Sequence, residues 1–141
     1  MNDVTETFEQ DWLFLSLPAE RENLGAVRAA VDRAARGFGV QEEARNDLKT
    51  LVSEACANVV LHAYTAEEVD RPLEIELTRQ DEAVEVIVRD RGQGVNARPD
   101  PKPESLRLGL LLVGAMASSF QLRSVRGGGT ELRATVAFAS P

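Results

Sequence analysis

Three polar side chains on one predicted helix form the first candidate site of the chain. Glu54, Asn58 and His62 are four residues apart, and this spacing places them in one row along a helix. The neighbouring residues 55–57 and 59 are small or apolar, which favours a helix that is buried on most sides. A buried carboxylate or amide needs a partner, because burying it without one costs roughly 2–7 kcal/mol. The row therefore indicates a candidate site; the alternative is a solvated polar face, the usual explanation for such a row.

A second candidate is the segment Asp-Arg-Gly-Gln-Gly from Asp90 to Gly94, which directly follows a predicted strand. Its glycines, Gly92 and Gly94, permit backbone conformations that other residues avoid and let a ligand approach the backbone closely. In a nucleotide pocket, the Asp90 carboxylate would accept a hydrogen bond from an exocyclic amine, which contributes roughly 1.5–3 kcal/mol. The alternative is an ordinary turn after a hairpin.

Two further glycine motifs follow. Gly109 lies in a Leu-Gly-Leu sequence at the start of a predicted helix, where free N–H groups and the helix dipole favour an anion such as a phosphate. A run of three glycines, residues 127–129, leads into Thr130 and the last predicted strand. The alternatives are a helix-packing glycine for the first motif and a flexible turn for the second. None of the four signals is specific by itself.

The elements that would position these residues follow from the hydrophobic pattern. Alternation with a period of two predicts an antiparallel hairpin, and apolar stripes at helical spacing predict helices. The predicted elements, in the order β-α-α-β-β-α-β-β, are the strand Trp12–Leu17, the helices Ala19–Arg36 and Gln41–Tyr64, the strands Leu73–Thr78 and Val84–Arg89, the helix Leu106–Ser118, and the strands Phe120–Val125 and Thr130–Phe138. After a polar lead-in over residues 1–11, we expect one domain over residues 12–141. Its expected fold is α+β, a two-layer sandwich whose mostly antiparallel sheet carries three helices on one face.

Composition excludes several classes of function. The 141 residues carry 16 Lys and Arg against 23 Asp and Glu, a net charge of −7, which argues against nonspecific nucleic-acid binding and against an anionic membrane surface as partner. One cysteine and one histidine exclude an intramolecular disulfide, a multi-thiolate metal site and a multi-histidine metal site. The acidic N-terminus lacks the order of a secretory signal, so we expect a cytoplasmic protein.

Taken together, the order and spacing of the four motifs resemble the four nucleotide-binding boxes of the GHKL ATPases. The match is closest to the anti-sigma factor serine-protein kinases of bacterial partner-switching systems. The stretch from Val52 to Tyr64 has the form S-E-A-x-x-N-x-x-x-H-A-Y that is typical of that family. The resemblance covers about residues 12–138.

The resemblance implies a role for each matching residue. Glu54 would be the general base, and Asn58 would bind Mg²⁺. Asp90 would bind the adenine amine of ATP. The remaining positions would line the nucleotide: Gly92, Gly94, Arg107, Gly109 and Thr130. His62 and Tyr64 match the pattern and are interpreted as structural residues that close the end of the helix.

Two departures from the family pattern concern the third predicted helix and its lead-in. Arg107 stands where the family usually has a glycine, and it would stiffen the phosphate lid, supply a positive charge to the phosphates, or weaken nucleotide binding. Ser118 and Ser119 stand where an acidic residue commonly follows the helix. Neither change removes a residue with a direct chemical role.

The resemblance implies an ATP-dependent serine-protein kinase that also sequesters a sigma factor and phosphorylates its antagonist on Ser. A homodimer, formed through the lead-in strand and the first helix, is a further possibility in this family. The alternative function is a non-catalytic ATP-binding module that regulates a partner by sequestration alone. The least favoured possibility is a scaffold that binds no nucleotide.

Overall fold

The computed structural model describes residues 4–92 and 115–138 of the chain. These residues form an α+β fold with one six-stranded sheet. Its elements are β1 (Thr5–Glu9), β2 (Trp12–Pro18), a 3₁₀ turn (Arg21–Asn23), α1 (Leu24–Phe38), α2 (Glu42–Asn58), a π-helical segment (Val59–Ala63), β3 (Pro72–Arg79), β4 (Ala83–Asp90), β5 (Ser119–Ser124) and β6 (Thr130–Ala137). Within these two ranges, no helix is long and apolar enough to cross a membrane.

The sheet is antiparallel throughout, with the strand order β1-β2-β3-β4-β6-β5. The central strand β4 therefore pairs with the last strand, β6, and not with β5, which precedes β6 in the chain. Because β4 and β6 run in opposite directions, the end of β4 lies opposite the beginning of β6. This arrangement places Asp90 directly across from Thr130.

The core lies between the two helices and one face of the sheet. The alternation predicted for the hairpin is confirmed: Leu73, Ile75 and Leu77 are fully buried on β3, and Val84 and Val86 are fully buried on β4. The residues that the helices contribute to this cluster, all fully buried, include Val27, Val31, Leu48, Leu51 and Val52. The expectation of an antiparallel sheet covered by helices is thus correct.

The opposite face of the sheet carries a charged network centred on Glu131. This carboxylate is only 6% exposed and accepts hydrogen bonds from Arg89 at 3.0 Å and Arg123 at 3.1 Å. Burial alone would raise the pKa of Glu131, but the guanidinium groups outweigh it and the pKa is lowered. The network ties together β4, β5 and β6 beside Thr130.

The first helix differs from its predicted bounds at both ends. A 3₁₀ turn precedes α1, and the helix continues through Gly37 to Phe38. It ends because Gly39 adopts a left-handed conformation, with φ of +83°, and its N–H caps the last turn. The helix therefore extends two residues beyond its predicted end at Arg36, and the ring of Phe8 lies where a side chain at position 37 would extend.

The strand β1 corrects the interpretation of the N-terminal lead-in as a segment without an element. It pairs along its whole length with β2, and its Phe8 contacts Phe38 edge-on with ring centroids 6.0 Å apart. The sequence did not predict this strand, because four of its five residues are exposed and its apolar residues do not alternate. It lies at the edge of the sheet, where little of either face is covered.

The prediction of three helices on one face is not confirmed. Two helices pack on the sheet in the described part of the chain. Of the third predicted helix, Leu106–Ser118, only residues 115–118 are described, and of these residues 115 and 116 are helical.

Candidate functional site

Asp90 and Thr130 form a polar pair at one end of an otherwise apolar sheet face. Both side chains point to the same side of the sheet as the buried valines of β4, because Asp90 continues the alternation of Val84, Val86 and Val88. Asp90 is 7% exposed and Thr130 is 9% exposed. A carboxylate and a hydroxyl held side by side at the rim of the core can together recognise a ligand with both donor and acceptor groups.

The Asp90 carboxylate is oriented by the loop that follows it. The N–H of Gly92 donates to Asp90 Oδ1 over 2.9 Å, and this bond is buried. The bond closes a tight turn at the end of β4, of the kind that aspartate side chains favour. The turn fixes the direction of the carboxylate before any ligand binds.

Two glycines allow backbone segments to meet beside Asp90. A β-carbon at Gly92 would lie 1.9 Å from the carbonyl oxygen of Ala63, and one at Gly129 would lie 2.1 Å from the carbonyl oxygen of Asp90. Gly129 also has a φ of +106°, a conformation that other residues rarely adopt. The end of the π-helical segment, the Asp90 loop and the β5–β6 turn thus converge through glycine contacts.

The side chain of Tyr64 forms hydrogen bonds to two backbone segments beside the Asp90 loop. Its hydroxyl donates to the Pro72 carbonyl at 2.5 Å and accepts the N–H of Arg91 at 2.8 Å. Burial raises the pKa of this phenol to about 12. These contacts agree with the interpretation of Tyr64 as a residue that closes the end of the helix.

Glu54 and Asn58 lie one turn apart on α2, as the spacing predicted. Both are half-buried. The Nδ2 atom of Asn58 is buried and has no hydrogen-bond partner among the described residues. A buried amide donor of this kind is expected to face a ligand, since leaving it unpaired is costly. The neighbouring Cys56 is a poor nucleophile, because burial raises the pKa of its thiol.

The α2 helix ends at Asn58, and the next five residues form a π-helical segment. The sequence predicted one continuous helix as far as Tyr64. Such segments often accompany functional sites, because the wider turn redirects the side chains around it. Here the wider turn separates Asn58 from Ala63, the residue that contacts Gly92.

The structure tests only some of the predicted site residues. Gly94, Arg107 and Gly109 lie outside the described residues. Asp90, Gly92 and Thr130 are brought together at the end of the sheet, and the helix that carries Glu54 and Asn58 ends against the same loop through Ala63. The convergence of Glu54, Asn58 and Asp90 on one cleft stays a prediction.

The residues present fit an ATP site that holds Mg²⁺ through few protein ligands. Among residues 4–92 and 115–138, no group of three or more His, Cys, Asp or Glu side chains is arranged to hold a metal ion. Mg²⁺ bound beside substrate phosphates usually keeps several waters and takes only one or two protein oxygens, so it does not require such a group. The side-chain oxygen of Asn58 would be a ligand of this kind, and its buried Nδ2 donor would then face an acceptor such as a phosphate oxygen.

A separate cavity of about 580 Å³ lies between the end of β2 and residues 66–72. Its lining includes four acidic residues, Glu20, Glu67, Glu68 and Asp70, and none of the predicted site residues. The accumulated negative charge disfavours a triphosphate in this cavity. This cavity is therefore not a candidate for the nucleotide site.

Two contacts at the site were not predicted from the sequence, although the residues that make them were named. The bridging contacts of Tyr64 depend on tertiary structure, and its place six residues after Asn58 gave no hint of them. The packing of Gly129 against Asp90 was missed as well, although a run of three glycines directly before a strand was a usable signal. Such runs mark turns and also backbone segments that approach each other closely.

Comparisons with known proteins place this geometry in a family. The sequence model of one protein family, the histidine kinase-like ATPase domain, matches residues 17–136. A histidine kinase domain from the blue-light activated histidine kinase of Erythrobacter litoralis EL346 superposes with a TM-score of 0.53 at 21% identity, covering 86% of this chain and 62% of that one. At this identity the superposition supports the fold alone.

Curated relatives carry the name serine-protein kinase RsbW. The protein from Oceanobacillus iheyensis is 28% identical over 130 residues, which cover 83% of this chain and 82% of that protein. The protein from Bacillus subtilis is 35% identical over 82 residues, or 58% of this chain and 51% of that protein. The protein from Bacillus licheniformis is 29% identical over 92 residues, 65% of this chain and 57% of that protein, so the match spans little more than half of the two Bacillus relatives. Since the family model covers most of the sequence and the fold agrees with it, the chain belongs to the histidine kinase-like ATPase domain family.

Proposed function

We propose that the protein is an ATP-dependent serine-protein kinase that also acts as an anti-sigma factor. The observation that carries the proposal is the buried Asp90–Thr130 pair, which glycine contacts join to the end of the helix that holds Glu54 and Asn58. In the proposal, this end of the sheet holds the adenine and the helix end with Asn58 faces the phosphates. The naming of the curated relatives as serine-protein kinases supports the reaction.

The proposed roles follow the chemistry of each group. Asp90 accepts a hydrogen bond from the adenine amine, with Thr130 beside it and with Gly92 and Gly94 along the base. Gly109 and Arg107 contact the phosphates. Asn58 would hold Mg²⁺, which supplies charge neutralisation at the phosphates when bound.

In the proposed transfer, Glu54 acts as the general base. The hydroxyl oxygen of the acceptor serine forms a bond to the γ-phosphorus, and the bond between that phosphorus and the β–γ bridging oxygen breaks. Glu54 takes the hydroxyl proton, and ADP leaves with the bridging oxygen. Positioning and charge neutralisation carry most of the catalysis in phosphoryl transfer, and a well-placed base adds roughly 10²–10⁴-fold.

The proposed partners are a sigma factor, held inactive by binding, and a small antagonist protein that is the phosphoryl acceptor. Because the chain aligns with only part of the Bacillus relatives, these partners stay proposals. A homodimer and a cytoplasmic location belong to the same proposal, as does an ATP-binding domain over residues 12–141. The net charge of −7 is in keeping with protein partners in preference to nucleic acid.

The deciding experiment measures binding and transfer separately. The purified protein and its Glu54→Gln variant are incubated with γ-labelled ATP, Mg²⁺ and a recombinant candidate antagonist, and ATP affinity is measured by calorimetry. We expect label on a serine of the antagonist with the wild-type protein, a loss of at least about 100-fold in rate with Glu54→Gln, and an ATP affinity unchanged within about twofold.

Three other outcomes would contradict parts of the proposal. ATP binding without label on any antagonist tested would favour the non-catalytic module that acts by sequestration. A normal rate with Glu54→Gln would remove the role of general base. Absence of ATP binding by the wild-type protein would contradict both the kinase and the module.

A further inference from the structure

Tyr64 is the one tyrosine of the chain, and its hydroxyl joins two segments that meet at the Asp90 loop. It donates to the carbonyl of Pro72 at the beginning of β3 and accepts the N–H of Arg91 just after β4. A tyrosine phenol is protonated at neutral pH, and burial raises the pKa of this one further, so the donated bond is present there. The hydroxyl therefore acts as donor and acceptor at the same time.

The hydrogen bond to Arg91 influences Asp90 through the turn formed by residues 90–92. Arg91 lies between Asp90 and Gly92, and the N–H of Gly92 donates to Asp90 Oδ1 over 2.9 Å. Holding the N–H of Arg91 limits the rotation of this turn, and the turn directs the carboxylate. The carbonyl of Ala63, the residue before Tyr64, packs against Gly92 from the other side. Residues 63 and 64 thus contact the loop at two successive residues, Gly92 and Arg91.

We propose that Tyr64 is a positioning residue for base selection, because its hydroxyl holds the Asp90 carboxylate in the direction that meets the exocyclic amine of adenine. The inference rests on the proposed role of Asp90 in adenine binding. It adds that selectivity depends on a side chain that itself makes no contact with the base. In a Tyr64→Phe variant the ring still fills its place, while the N–H of Arg91 and the carbonyl of Pro72 lose their partner.

The test compares the binding of ATP and inosine triphosphate, which has a carbonyl oxygen in place of the adenine amine. The ratio of the two affinities measures recognition of the amine and is insensitive to a uniform loss of folded protein. For Tyr64→Phe we expect ATP to bind about five- to tenfold more weakly and inosine triphosphate to change by less than about twofold. A purely structural role would weaken both nucleotides equally, and an unchanged ratio would overturn the proposal.

A matched control is Ser118→Ala, which also removes one hydroxyl that donates to a backbone carbonyl. Ser118 Oγ donates to Thr135 at 3.0 Å, in the β5–β6 hairpin at the end opposite Thr130. We expect Ser118→Ala to leave the affinity ratio unchanged. An equal fall in the ratio with both variants would contradict a specific role of Tyr64.

The Asp90→Asn variant separates this inference from the proposed function. If wild-type protein and Asp90→Asn show the same ratio, the assignment of Asp90 to adenine fails. If Asp90→Asn lowers the ratio and Tyr64→Phe does not, only the positioning role fails.

Should Tyr64→Phe not fold, the wild-type chain itself provides the measurement. Since it has one tyrosine, incorporation of 3-fluorotyrosine gives a single fluorine resonance. We expect saturating ATP to shift this resonance and inosine triphosphate to shift it much less. Equal shifts with the two nucleotides would overturn the proposal.

Discussion

The substitution Gly92→Ala tests the contact that joins the candidate adenine loop to the end of the second helix. The new β-carbon would lie 1.9 Å from the carbonyl oxygen of Ala63 and 2.7 Å from its carbonyl carbon. Ordinary contact begins near 3.4 Å, so the two segments must separate by about 1.5 Å. Both groups belong to the backbone, and relief therefore requires movement of the loop or of the π-helical segment.

The expected cost has two parts. Overpacking of a dense region typically costs about 1–3 kcal/mol, and a rigid backbone contact belongs at the upper end. Separation of the segments also weakens the bonds from Gly92 to Asp90 and from Arg91 to Tyr64, which contribute about 1 kcal/mol each. We expect the free energy of unfolding to fall by about 3–4 kcal/mol and ATP affinity to fall about tenfold or more.

The assay pairs urea denaturation with calorimetric titration of ATP, and Gly25→Ala serves as the control. Gly25 lies in the first turn of α1, and nothing lies within 4 Å of a β-carbon placed there. The same change should raise stability there by up to about 1 kcal/mol, because alanine favours a helix over glycine. Wild-type stability and ATP affinity in Gly92→Ala would refute the reasoning about this contact.

Three further predictions concern the same end of the sheet. Glu131→Gln should lower the free energy of unfolding by about 1–3 kcal/mol in thermal or urea denaturation, because Arg89, Arg123 and Arg133 each lose one carboxylate partner. Since the folded pKa of Glu131 is lowered, its stabilising effect is complete above the ordinary value of 4.5 and is lost as pH falls through the folded pKa, so the wild-type and variant stability curves should converge in acid. The phenol of Tyr64 should ionise near pH 12 in the folded protein and near 10 in urea, as followed by ultraviolet difference absorbance; folded-state ionisation near 10 would contradict its burial. Gly129→Ala should destabilise the protein by about 3 kcal/mol and weaken ATP binding, whereas Gly127→Ala, which meets no neighbour, should cost only about 1 kcal/mol for its positive φ, and equal losses would argue against the contact with Asp90.

The elements that sequence analysis predicted best are those that bury one face. The strand β3 shows strict alternation and β4 departs from it only at Ile87, because one side of each strand contacts the helices. Their predicted bounds differ from the structure by one residue at each end. The apolar stripe of α2 was equally clear. In each case the burial that stabilises the element also determines its pattern of residues.

The elements that were missed lack such a pattern. Most of β1 is exposed, so no selection for alternating apolar residues applies to it. The π-helical segment Val59–Ala63 inserts one extra residue per turn for a single turn, which changes hydrophobic periodicity too little to detect. Its contact with Gly92 was hidden for the same reason, since it depends on where the wider turn places Ala63.

The candidate site shows a similar division. Local motifs of a few residues each were enough to identify Asp90, Gly92 and Thr130 as candidates. Their proximity depends on the pairing of β4 with β6, and hydrophobic alternation alone does not distinguish this order from a pairing of β4 with β5. The resemblance to a known family implied that Asp90 and Thr130 both lie at the nucleotide, and the register between β4 and β6 places the two residues opposite each other.

The structure gives the glycines of this site a role that differs from the one predicted from the sequence. Gly92 was expected to let a nucleotide approach the backbone closely, yet both Gly92 and Gly129 already have protein backbone where a side chain would extend. Replacing either one therefore changes the relative position of three segments: the end of the helix, the loop after β4 and the turn before β6. A ligand held by Asp90 and by Asn58 would span these segments, so their packing sets the distance between the base and the phosphates. On this argument the glycines act on nucleotide binding through the framework, and their substitution should weaken both ATP and inosine triphosphate, whereas Tyr64→Phe should weaken ATP with little effect on inosine triphosphate. Gly92→Ala should lower the affinity ratio as well, because it also loosens the bonds that orient Asp90.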